Sequence, residues 1–216
     1  MPRLRLGLAA WVVAAAAGFS DPQPRPAAAV RLGESAPELP QGAVKGKLAV
    51  LVFAERATPL PEHVLKKLEE CGAVAVLVSR QPPEEGVKGY TVAADPEERL
   101  TRRFLKTGSA VILVDGEGVV RAVAPSGADP AALAARWRAG KVLFESACAR
   151  CHTEDGAPEY YSFNIKKLAG IGNRLTPAEI LERTNPVPMG LNHYSIRAFL
   201  YTKEEIDALI TYVAGL

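Results

Sequence analysis

The chain has 216 residues, with 26 Lys and Arg against 24 Asp and Glu, a net charge of +2 and no long run of like charge. Balance of this kind argues against nucleic acid as a partner and lends no support to binding at a membrane surface. The length allows two small domains, each with its own core. In chain order, Met1 to Ser20 reads as a secretory leader: Arg3 and Arg5 precede an apolar stretch from Leu6 to Ala17, and small residues follow. That stretch is shorter than the roughly 20 residues of a spanning helix, so cleavage is expected, with no membrane span afterwards. Residues 21–31, Asp-Pro-Gln-Pro-Arg-Pro and then Ala-rich, have too few large apolar groups to fold and read as a linker.

Residues 32–138 alternate strand-like and helical patterns. Leu48 to Phe53 and Ala73 to Val78 are short apolar runs of the buried-strand kind. Between them, Glu62 to Cys71 places Val64, Leu65 and Leu68 on one helical face and stops at Gly72. Strand, helix, strand implies a parallel pair with a right-handed crossover. Asp95-Pro96-Glu97-Glu98 is expected to open a second helix, with Asp95 as N-cap and Glu98 completing a capping box. Ala110 to Val114 and Val119 to Val123 flank Asp115-Gly116-Glu117-Gly118 as a hairpin. Asp129-Pro130 then caps a last short helix carrying Leu133 and Trp137. The expected class is an α/β domain with a mixed central sheet.

This order resembles the thioredoxin-like superfamily, in particular its peroxiredoxin branch. Leu32-Gly33-Glu34-Ser35-Ala36-Pro37 is similar to that branch's opening stretch, and Val114-Asp115-Gly116-Glu117-Gly118 to its hairpin. The resemblance implies a reactive cysteine after the first strand. Here the chain reads Thr58-Pro59-Leu60-Pro61, with Pro61 at that place, and Ser109 replaces the proline that the family carries before its fourth strand. A prolyl ring has neither nucleophile nor acidic proton, so peroxide reduction and disulfide exchange are expected to be absent. The domain is then a docking or scaffolding unit. Cys71 reads as a small apolar filler, and His63 as a solvated surface residue.

Residues 139–216 have a different grammar. Gly140, Phe144 and Cys148 recur at steps of four and fall near one helical stripe. The stripe leads into Cys148-Ala149-Arg150-Cys151-His152. Two cysteines three apart, with a histidine four after the first, lie on one side of a helical turn. That arrangement suits one covalently attached haem: each thiol can add to a porphyrin vinyl group while the His152 imidazole reaches the iron as proximal ligand. A structural zinc site needs a second ligand pair, and Cys71, His63 and His193 stand singly. A redox dithiol would follow a buried strand at a helix N-terminus, whereas this pair follows a helical pattern and precedes the loop Thr153-Glu154-Asp155-Gly156. Further on, Thr176-Pro177-Ala178-Glu179 starts a short helix. Thr202-Lys203-Glu204-Glu205 is a capping box ahead of an apolar stripe of Ile206, Leu209, Ile210 and Val213.

From Gly140 onward the chain resembles the small single-haem c-type cytochromes, which implies an all-α fold. The resemblance also implies that the C-terminal helix crosses closely at Gly140, with Leu209 and Tyr212 at the crossing, and that Leu168 to Gly172 forms a turn at the haem edge. Met189, the one methionine left once the leader is removed, lies in a proline-stiffened loop and is the expected distal iron ligand. His193 is its rival. The expected protein carries one haem c, is exported to the periplasm, and passes single electrons between donor and acceptor proteins without being an enzyme. A haem-based sensor, in which Met189 or His193 dissociates, is the alternative.

Overall fold

The computed structural model describes residues 28–39, 46–56, 58–81, 89–106, 108–149, 152, 167–183 and 201–216. The leader, most of the expected linker, and the residues Cys151, Met189 and His193 lie outside the described residues. The first part of the chain folds as β1 (Leu48–Arg56), α1 (Glu62–Glu70), β2 (Ala73–Gln81), β3 (Thr91–Ala94), α2 (Arg99–Phe104), β4 (Ala110–Val114), β5 (Val120–Pro125) and α3 (Pro130–Leu143). The sheet has the order β3-β2-β1-β4-β5. Its β1–β2 and β2–β3 pairs are parallel, and its β1–β4 and β4–β5 pairs antiparallel.

The central strands are apolar on both faces, and the two-residue period divides them cleanly. Leu48 and Val50 of β1 and Val111 and Leu113 of β4 join a first core with Val64 and Leu68 of α1. Ala49, Leu51 and Phe53, with Ala110 and Ile112, join a second core with Phe104 of α2. A parallel βαβ unit, a second crossover helix and an antiparallel hairpin, with helices on both faces, make a thioredoxin-like fold with a mixed central sheet.

Several expectations change in detail. Strand β3 is not foreseen by the pattern, because four residues are too few to display a period. The second helix begins at Arg99 rather than directly after Asp95. The Asp95 amide donates to Ser79 O at 2.8 Å, which ties this residue to the sheet, so the chain must turn before a helix can start. Glu98 makes that turn with φ 56°. Its carboxylate meets Arg80 and Arg102, so no capping box forms. Asp95 instead reaches forward to accept from the amides of Leu100 and Thr101 and the Thr101 hydroxyl. The end of the expected linker also belongs to this unit: Ala29 N donates to Phe104 O at 2.9 Å, and Val30 packs on the second core.

The largest difference concerns α3. Asp129 caps it as expected, accepting from Ala131 and Ala132, but the helix runs 14 residues to Leu143 and passes directly into a wide π turn at Phe144–Cys148. Positions 138 and 139, read as the join between two domains, therefore sit inside one helix. After it come α4 (Ile171–Arg174), α5 (Pro177–Arg183) and α6 (Lys203–Ala214), the last opened by the Thr202/Glu205 capping box. Their buried residues Ile180, Leu209, Ile210, Tyr212 and Val213 belong to the same first core as the sheet. The helical part is thus built onto the α/β part through a shared core. At the α3–α6 crossing, a Cβ on Gly140 would lie 2.6 Å from the Ala208 carbonyl carbon and 2.8 Å from Tyr212 Cβ. Tyr212 packs its ring against Trp137 and Phe144, at 5.4 and 5.2 Å between centroids. Among the described residues, no helix is long and apolar enough to cross a membrane.

Candidate functional site

The motif begins where α3 widens. Ala149 N donates to Phe144 O at 2.9 Å, one residue further back than in an α-helix. The Ser146 hydroxyl donates to Leu143 O at 3.0 Å and competes for the carbonyls of this turn. An unbroken α-helix would carry Cys148 about 80° round from Gly140 over eight residues. In a wider turn each residue advances less, which returns Cys148 towards the stripe of Gly140 and Phe144. His152 N then donates to Cys148 O at 2.9 Å, the step that in a regular α-helix brings two side chains to one side.

Cys148 is half-buried and packs on the first core. His152 is half-buried, with its Nδ1 inside the protein. An imidazole has two ring nitrogens, and with Nδ1 turned inward Nε2 is the one to offer a metal. A thiol packed on the core and a half-buried imidazole, four residues apart and joined by that backbone bond, fit a covalently held haem with a histidine ligand. The expected partners Cys151, Met189 and His193 lie outside the described residues. The turn at Leu168 to Gly172 is held by Gly170 N, which donates to Leu216 O at 2.7 Å.

The place where a redoxin would carry its thiol is different in kind. Pro61 is the exposed N-cap residue of α1 and makes no side-chain cap bond, and His63 is exposed beside it. Cys71 sits at the opposite end of the same helix, half-buried, with its carbonyl accepting from Arg138. Burial pushes the Cys71 thiol above its usual pKa, a shift that the nearby Arg138 guanidinium partly offsets. A hollow of about 360 Å³ lies at the β3–α2 turn between Asp95, Arg99 and Arg103, and includes no residue of the motif.

One residue escaped the sequence reading. Arg121 stands in the apolar run Val119-Val120-Arg121-Ala122-Val123 and is 7% exposed. A charge within a buried-strand pattern is the signal that marks it. Its Nε donates to Asp115 Oδ2 at 2.6 Å and its Nη1 to the Gly215 carbonyl at 3.0 Å.

Residues 135–213 match the family described as cytochrome C oxidase, cbb3-type, subunit III. No curated protein matches the chain. Among solved structures, a thioredoxin peroxidase of Plasmodium yoelii is 14% identical, covering 62% of this chain and 99% of its own, with a TM-score of 0.40. Peroxidoxin BcpB of Mycobacterium tuberculosis is 16% identical over 48% of this chain and 90% of its own, at 0.36. A candidate protein disulfide isomerase of Bacteroides thetaiotaomicron is 17% identical over 50% and 86%, at 0.38. Residues 135–213 are thus a cytochrome c-type domain by the family match, and the part before them has the strand order of a thioredoxin-like fold. A domain of the first kind implies haem and redox partners.

Proposed function

We propose that the protein is an exported electron carrier in which Cys148 and Cys151 bind one haem c covalently and His152 is the proximal iron ligand. Met189 is the distal ligand, with His193 as the rival. When bound, the haem supplies a one-electron Fe(III)/Fe(II) couple. The observation that supports this reading is the α-type backbone step from His152 to Cys148, together with the burial of His152 Nδ1. The chain's own work would be to anchor the ring through Cys148 at the end of α3 and to present the His152 imidazole to its iron. The α/β unit offers Pro61 where a peroxidase needs a nucleophile, so its role is docking or scaffolding. The leader directs the chain to the periplasm. Donor and acceptor proteins are met through small, transient contacts.

The test is to make the full chain in a host that assembles c-type haem. The expected product is coloured and heavier than the peptide by one haem; Cys148→Ala or Cys151→Ala each leaves one vinyl group unbonded, read as a red shift of the haem absorption in the denatured protein, and the double variant loses the added mass. Met189→Ala should abolish the long-wavelength sulfur-to-iron charge-transfer band, and His193→Ala should leave it. A colourless product at its bare peptide mass would overturn the reading. Fast binding of carbon monoxide by the reduced protein would favour a sensor, and thiol-dependent peroxide reduction would restore an enzymatic role to the α/β unit.

A further inference from the structure

We propose that the α/β unit is the wall against which the motif-bearing helices are held in register, and that Arg121 is the positioning residue. This deepens the haem reading above and rests on it for one of its readouts. Asp115 Oδ1 accepts from Glu117 N and Val119 N, so the hairpin turn itself grips the acid that balances Arg121. The other end of the guanidinium takes the Gly215 carbonyl, just beyond α6, where the last carbonyls of a helix carry partial negative charge. The backbones meet there as well: a Cβ on Gly215 would press on the Arg121 carbonyl, with its carbon 3.1 Å away. A buried ion pair is a poor way to stabilise a sheet alone, since an apolar side chain of similar size serves as well or better. Its geometry is useful when the second bond must land on a particular neighbour.

A second, independent grip lies nearby. Asn173 exchanges two hydrogen bonds with Leu32, donating to its carbonyl at 2.7 Å and accepting from its amide at 3.0 Å. The residues that follow Leu32 pair with Val120, the neighbour of Arg121: Gly33 N donates to Val120 O at 2.8 Å, and Val120 N to Glu34 O at 2.9 Å. Gly172, beside Asn173, packs on the end of α6, where a Cβ would lie 2.8 Å from the Ala214 carbonyl carbon. Turn, helix end and strand thus close a ring. From the end of α6 the register passes through Tyr212 to Phe144, one turn before Cys148.

The test uses the full-length holoprotein and three variants, Arg121→Gln, Arg121→Lys and Asn173→Ala. Urea unfolding is followed by the haem absorption band, and by hydrogen exchange of α6 amides against those of β4. In the parent, the change in the haem band and sheet unfolding should share one midpoint, with α6 protected as well as β4. In Arg121→Gln the haem band should change at lower urea than the sheet unfolds, α6 protection should fall at least tenfold relative to β4, and the redox midpoint should shift. Arg121→Lys should recover part of each, and Asn173→Ala should change each in the same direction by less. Unchanged α6 protection and an unshifted redox midpoint in Arg121→Gln and Asn173→Ala would overturn the proposal, as would separate transitions in the parent. If Arg121→Gln yields no folded protein, Asn173→Ala decides by itself. A colourless parent would defeat the haem reading alone, because the exchange comparison needs no haem.

Discussion

Gly140→Ala is a prediction whose sign carries the argument. In an ordinary helix interior this change stabilises by roughly 1 kcal/mol, since alanine is the better helix former. At Gly140 the new methyl would lie 2.6 Å from the Ala208 carbonyl carbon and 2.8 Å from Tyr212 Cβ. Relaxed carbon contacts need about 3.5–4.0 Å, so α3 and α6 must part by about an ångström. Overpacking of this sort costs about 1–3 kcal/mol. Parting the helices also loosens Tyr212 against Trp137 and Phe144, ring pairs worth about 0.5–1.5 kcal/mol each beyond their buried area. Set against the propensity gain, the net expectation is a loss of about 2 kcal/mol. With a urea slope of about 2 kcal/mol per molar, the unfolding midpoint should fall by about 1 M. The assay is urea denaturation followed by far-ultraviolet circular dichroism at constant slope. A midpoint that stays or rises would refute the close crossing and with it the route from α6 to the motif.

Burial raises the Asp95 carboxyl, but hydrogen bonds from Thr101 and Leu100 outweigh it and leave its pKa below the ordinary value. A depressed folded-state pKa contributes stability that is fully present above the unfolded value of about 3.9 and is lost as pH falls through the folded one. Asp95→Ala should therefore cost about 1 kcal/mol near neutral pH, with the gap narrowing below pH 4; an equal gap in acid, measured by urea titration at both pH values, would count against it. The chain has three cysteines. In denatured holoprotein, an alkylating reagent should modify Cys71 alone, counted by mass spectrometry, and modification of all three would contradict covalent haem attachment. In the native protein, Cys71 should react more slowly than a free thiol at neutral pH, because burial keeps it protonated.

Strands β1 and β2, helix α1, the hairpin and the caps at Asp129 and Thr202 were readable because each depends on near neighbours: a period of two, a stripe of apolar residues, an oxygen three positions before an amide. The proposed haem motif from Cys148 to His152 is likewise a local pattern, five consecutive residues long. Strand β3 was not, because a short edge strand exists through its partner β2. The start of α2 was misplaced because the bond from Asp95 to Ser79 comes from a distant strand. The π turn was missed because four-residue spacing looks the same in either kind of helix.

Local order thus determined which segments become strands and helices, and where the proposed haem motif falls along the chain. Only the tertiary structure decided that α3 serves both parts of the chain and that they share one core. It also decided that Arg121 faces Gly215, 94 residues away along the chain. Close backbone approach, a buried charge and its counterion are satisfied by whatever lies next to them in space, and that neighbour has no trace in the local pattern.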